Sequence, residues 1–123
     1  MNTPMDEELA GKHCQACAGN IPLLSPDEVR TLLPRVPGWE LSLDGRRIRR
    51  RWVARNFKAA IAFLNSVAAL AEAEGHHPDL HLESYRELTL ELWTHSLGGL
   101  SENDFILAAK INGLPIELKR GAS

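Results

Sequence analysis

Three leucines set the clearest pattern in the chain: Leu88, Leu90 and Leu92 alternate with Glu87, Thr89 and Glu91, which predicts a strand with one face in the core. Upstream, Trp39, Leu41 and Leu43 alternate with polar residues. Asp44-Gly45 then forms a hairpin turn, and a return strand runs from Arg46 to about Val53. Next, Phe57, Ala60, Ile61, Leu64, Val67, Ala68 and Ala71 follow the three-and-four spacing of an amphipathic helix, capped by Asn56 and ending near Glu74 with Gly75 just beyond. Ala59, Ala62, Phe63, Ala69 and Leu70 add a second apolar margin to that helix. One sheet does not cover a stripe so wide, and the excess predicts burial against a partner subunit. Ser25-Pro26-Asp27-Glu28 is a capping box with proline in the first turn, and Pro34 and Pro37 stop the helix it opens. After Pro78 the chain reads as extended until Gly98-Gly99. Ser101, with Asp104 three later, starts a last helix through about Ile111. The order is α-β-β-α-β-β-α. This grouping predicts an α+β fold, a single domain with a four-stranded antiparallel sheet and three helices packed on one face. Residues 1–20 show no period and read as a loose arm, 21–118 as the domain and 119–123 as a tail.

Length and composition narrow the class without choosing a function. A chain of 123 residues is long enough for one core without disulfide or metal support. Its hydrophobic share of 44%, charged share of 24% and net charge of −2 are those of an ordinary globular domain. No run approaches the ~20 apolar residues of a membrane span. Acidic Asp6, Glu7 and Glu8 lack the order of a secretory signal, and two cysteines make no disulfide framework. The expected compartment is the cytoplasm.

Histidine supplies the chemistry. Four of the five histidines lie between His76 and His95: the pair His76-His77 against Pro78, then His81, then His95 behind Trp93-Thr94. Imidazole both gives and takes protons near its unperturbed pKa of ~6.5. His76 and His77 follow a helix end, and Pro78 forces His77 out of helical geometry. His95 is read at the far end of the leucine strand, so pairing of that strand beside the loop would let the three imidazoles converge. Glu72, one turn before His76, is near enough to orient an imidazole. His77 and His81 have the spacing of paired metal ligands on one helix, but Pro78 lies between them and breaks that helix. No metal is therefore expected.

The run Glu72-Ala-Glu-Gly-His76-His77-Pro78, with Tyr85, Thr94-His95, Gly98-Gly99-Leu100 and Asp104, resembles the pterin-4a-carbinolamine dehydratase family. Pro37-Gly38-Trp39 and Asn56-Phe57 extend the likeness more weakly, and Cys14-Gln-Ala-Cys17 with Ser25-Pro26 looks like bacterial-type members. The resemblance implies a hydro-lyase that removes water from a 4a-hydroxytetrahydropterin to give the quinonoid dihydropterin, in tetrahydropterin recycling and without a cofactor. It implies His76 and His95 as an exchangeable acid/base pair and His77 as a pterin contact. Glu72 would assist, Trp39 would line the pocket, Pro78 would be structural, and Asp104 would either cap its helix or support His95. An aspartate that precedes the paired histidines in animal members is Gly75 here. The resemblance also implies a homodimer or homotetramer through the 56–74 helix. A second class of function comes with it, a protein-binding dimerisation cofactor of a transcription factor, and a third reading is action on another pterin.

Two weaker signals stand apart. His13-Cys14-x-x-Cys17 lacks the second half of a zinc site and reads as incidental thiols. Arg46, Arg47, Arg49, Arg50, Arg51 and Arg55 put six arginines in ten positions. Arg47, Arg49 and Arg51 are expected on a solvated face opposite Glu87 and Glu91, not on nucleic acid, and Arg50 on the apolar side in a buried ion pair.

Overall fold

The computed structural model describes residues 6–15 and 21–121. Four α-helices and four strands follow in the order α1 (Glu7–Ala10), α2 (Pro26–Leu32), β1 (Glu40–Leu41), β2 (Ile48–Val53), α3 (Phe57–Glu74), β3 (Asp79–Glu83), β4 (Glu87–Leu92) and α4 (Glu102–Asn112). The sheet is antiparallel throughout, in the order β1-β2-β4-β3. Ile48 and Trp52 of β2 and Leu88, Leu90 and Leu92 of β4 are buried on one face, where they meet Ala60, Phe63 and Val67 of α3 and Phe105, Ile106 and Ala109 of α4. The expected α+β architecture is what forms, with one short helix added in front.

Over its described residues, 6–15, the expected loose arm carries a docked helix. Asp6 caps α1 by accepting the Leu9 N–H at 2.9 Å, and Leu9 is fully buried in the common core. Leu9 and Ala10 are the apolar side chains between Asp6 and His13, and two neighbours make no period, which is why the sequence pattern missed a docked turn. Covered by α1, α3 and the sheet, α4 is buried nearly all round.

The predicted helix boundaries hold because their caps form. Ser25 and Glu28 exchange side-chain-to-backbone bonds at 3.2 and 2.9 Å, and Asn56 Oδ1 accepts the Ala59 N–H at 2.8 Å. Gly75 ends α3 in the left-handed region at φ 66°, and the His76 N–H returns to Ala71 O at 3.3 Å. The buried stripe of α3 is turned from the expected one. Ala59, Ala60, Phe63, Val67 and Ala71 face the core, whereas Phe57 is 54% and Ile61 36% exposed. Phe63 is therefore a core residue, and the outward apolar side runs through Phe57, Ile61 and Ala68.

Two strand ends also differ. The first hairpin has a longer loop, so Leu43 stands fully exposed beside the Asp44-Gly45 turn. β4 stops at Leu92, and His95 opens a 3₁₀ turn over His95–Leu97 instead of ending the strand. Thr94, between them, is held by a bridge to Gly99. No helix among the described residues is long and apolar enough to cross a membrane.

Candidate active site

The site forms where the end of α3 meets the start of α4. His76, immediately after the Gly75 cap, is 4% exposed, and its Nε2 lies 2.6 Å from Oδ1 of the fully buried Asp104. Asp104 Oδ2 accepts from Thr94 Oγ1 at 2.8 Å and from Ser101 N at 2.9 Å. Thr94 Oγ1 is also 2.6 Å from Ser101 Oγ. A buried carboxylate must be met by donors, and three neighbours supply them. Since a carboxylate only accepts, the imidazole nitrogen facing it carries the proton, and a neutral His76 then has its lone pair on Nδ1.

Asp104 thus caps α4 and orients a histidine with one side chain. The histidine is His76, whereas the family resemblance implied either a cap alone or support of His95. The reason is geometric: the N3 carboxylate turns back to the cap with one oxygen, which leaves the other facing the end of α3.

The remaining expected residues are spread around this centre. His77 is exposed and pairs through Nε2 with Glu72 Oε2 on the last turns of α3. Pro78 follows and turns the chain into β3. His95, one residue beyond Thr94, is exposed and lies against Trp93, with ring centroids 4.1 Å apart. Arg47 covers Trp93 at 4.5 Å from its ring, and the buried Trp93 Nε1 has no hydrogen-bond partner among the described residues. The Arg47–Trp93–His95 contact was missed in the sequence, although positions 93 and 95 share a side of an extended chain.

Trp39 is not brought to this cluster. It is 4% exposed, packs edge-on to Trp52, and donates Nε1 to Asn112 Oδ1 at 2.9 Å. Asn112 stands at the far end of α4, about 12 Å along the axis from Asp104. His81 sits 3.2 Å from Glu91 on the other face of the sheet. Among the described residues, no group of three or more His, Cys, Asp or Glu side chains is gathered as a metal site.

Two of the three arginines expected on the solvated face pair with acidic neighbours: Arg51 with Glu87 at 3.4 Å, and Arg47 with both Glu91 and Asp79 at 3.7 Å. Arg50 points inward along Trp52. It donates to Asn112 Oδ1 at 2.6 Å and Pro37 O at 3.3 Å, and burial lowers its pKa. Cys14 is half-buried with its Sγ 3.6 Å from Asn103 O. Burial and the nearby Glu74 push its thiol up to about 12, which favours the protonated form. Cys17 lies outside the described residues.

Residues 22–114 match the profile of the family described as Pterin 4 alpha carbinolamine dehydratase. The chain belongs to the pterin-4a-carbinolamine dehydratase family. It is 43% identical over 113 residues to the Arabidopsis thaliana protein named pterin-4-alpha-carbinolamine dehydratase 2, mitochondrial, covering 89% of this chain and 60% of that protein's length. A Dechloromonas aromatica protein named putative pterin-4-alpha-carbinolamine dehydratase is 42% identical, covering 86% of this chain and 92% of its own. The crystal structure titled transcriptional coactivator/pterin dehydratase from Brucella melitensis superposes with a TM-score of 0.68 at 33% identity. It covers 74% of this chain and 96% of that one.

Proposed function

We propose that this chain dehydrates a pterin-4a-carbinolamine to the quinonoid dihydropterin, with His76 and His95 as general acid and base in tetrahydropterin recycling. In this elimination one imidazolium protonates the 4a-hydroxyl as the C4a–O bond breaks and water leaves. A neutral imidazole takes the N5 proton, and the N5–H electron pair becomes the new C4a=N5 bond. The observation that carries the reading is the buried His76–Asp104–Thr94 network, whose threonine is the residue before His95. It fixes the His76 ring and its proton, and it ties the helix end to the segment bearing the second imidazole. Such positioned proton transfer contributes ~10²–10⁴-fold. His77, paired with Glu72 and open to solvent, serves to hold the pterin. The chain needs no metal for these steps and works in the cytoplasm in this reading, although the plant relative's name carries the word mitochondrial.

The reading includes a homodimer or homotetramer through α3, favoured by its outward Phe57 and Ile61. A second function, binding a protein partner through that same helix side, is favoured by the word coactivator in the Brucella protein's title.

The test is the rate at which a synthetic 4a-carbinolamine loses water, followed by absorbance with and without a chelator. His76→Ala and His95→Ala are each expected to lose roughly 10²-fold or more, with no effect of chelation on the wild type. A double variant as fast as the wild type would end the catalytic reading.

A further inference from the structure

The two members of the His76–Asp104 pair sit on different elements, and their relative position is no better than the junction between those elements. A third segment ties that junction. The Cys14 N–H donates to Glu74 Oε1 at 2.8 Å, two residues before His76. The Gln15 N–H donates to Asn103 Oδ1 at 2.9 Å, and Asn103 Nδ2 donates back to Gln15 O at 2.8 Å, one residue before Asp104. Consecutive residues of one strap therefore grip the end of α3 and the start of α4 together.

Neither grip is a surface accident. Asn103 is 1% exposed and the Glu74 side chain 7%, so both polar groups were withdrawn from water to make these bonds. A buried amide that satisfies one residue's N–H and C=O at once fixes the direction of that backbone as well as its distance. The strap is anchored upstream at three further points. Leu9 is in the core, Asp6 is forked by Arg35 Nε and Nη2 at 2.8 and 3.1 Å, and Lys110 Nζ donates to Ala10 O at 2.6 Å. Lys110 also stands 3.7 Å from Glu74, and His13 Nδ1 3.4 Å from it, so the buried carboxylate is met by charge as well as by the amide.

We propose that the Cys14–Gln15 segment is a strap that sets the geometry of the His76–Asp104 pair, with Glu74 and Asn103 as positioning residues. The activity consequence rests on the dehydratase reading; the structural one does not. Losing either grip lets the end of α3 and the start of α4 shift against each other beside the 2.6 Å His76–Asp104 contact. Misplacement of that order is costly in a proton-transfer site.

The experiment uses the full chain with Asn103→Ala, Glu74→Ala and Glu74→Gln. The first readout is solvent exchange of the His76 Nε2 proton by NMR, assigned from its loss in His76→Gln. Exchange is expected to rise about tenfold in Asn103→Ala and Glu74→Ala, while the core Leu90 amide stays as in the wild type. Glu74→Gln keeps an oxygen for the Cys14 N–H and is expected to stay near wild type. The second readout is dehydration, expected to show kcat lowered by about tenfold at unchanged KM in the two impaired variants. Folded variants with His76 exchange as slow as wild type would overturn the strap. So would equal behaviour of Glu74→Ala and Glu74→Gln, a comparison that stands even if Asn103→Ala does not fold. If the histidine variants keep full dehydration, the enzymatic reading falls, while the exchange measurement still decides the strap.

Discussion

With its carboxyl fully buried, Asp104 must find donors for both oxygens, and it takes one from each of His76, Thr94 and Ser101. The two on Oδ2 belong to the helix cap and the strand end; the one on Oδ1 faces His76, where the proposed chemistry lies. Asp104→Asn separates these uses. The amide keeps the shape and one acceptor, but its NH2 group must face one of the donors. We expect a loss of roughly 1–3 kcal/mol in urea unfolding, from a buried donor left unmet. We also expect a fall in kcat on the order of 10²-fold, because His76 loses the acceptor that fixes its proton. An Asp104→Asn protein destabilised by that amount yet fully active would make Asp104 a cap alone. Gly75 is the neighbouring case of a residue with backbone meaning. At φ 66°, a Cβ there would meet nothing within 4 Å, so the position asks for a left-handed conformation and not for space. Aspartate adopts that conformation more readily than most residues. The aspartate that the family resemblance implies here could therefore stand on the same backbone path.

Among the elements, the docked arm depends most plainly on charge. Hydrogen bonds from Arg35, then the Leu9 N–H, hold the Asp6 carboxyl down to about 2. Burial alone would raise Glu74, but the Cys14 N–H, His13 and Lys110 outweigh it and keep its carboxyl below the usual range. A depressed carboxyl stabilises the fold above its unfolded pKa, ~3.9 for Asp, and that share is lost as pH falls through the folded value. Between about pH 4 and 2 the protection of the Leu9 amide from hydrogen exchange is therefore expected to fall ahead of that of Leu90. Asp6→Asn should flatten the first of those profiles. The same acid dependence in Asp6→Asn would remove Arg35–Asp6 as the cause. The elements also show what a sequence can carry. Caps are local, so Ser25, Asn56, Gly75 and Ser101 could be read directly, and the leucine alternation gave β4 and its buried face. Asp104's choice of His76, the burial of Trp39 on Asn112 and the docking of Leu9 each join residues far apart in the chain. No local pattern encodes which of two histidines a carboxylate will meet. The rotated stripe of α3 has a simpler origin: apolar residues surround most of that helix, so periodicity alone could not tell Phe57 and Ile61 from Phe63.

Across the whole molecule, that same helix leaves one side without cover. Phe57, Ile61, Leu64 and Ala68 recur at spacings of four, three and four, which lines them up along one edge of α3. Leu64 is half-buried, while Phe57 and Ile61 keep 54% and 36% of their surface in water. Covering side chains of this kind contributes about 25 cal/mol per Å² of apolar area removed from water, and a second copy of the helix offers a matching edge. A two-fold pair of such edges is self-complementary, and Glu72, on the last turns of the same helix, adds charge where the seam runs out. The wild type is expected to sediment as a dimer or tetramer at micromolar concentration. Ile61→Glu would bury a charge without a partner at the middle of the seam and should shift the population to a smaller species. Because Ile61 does not belong to the core, the helical circular dichroism and the unfolding midpoint of the smaller species should stay close to those of the wild type. A wild type that sediments as a monomer would remove the assembly from the proposed function, and the outward edge of α3 would then have to be explained by a partner of another kind.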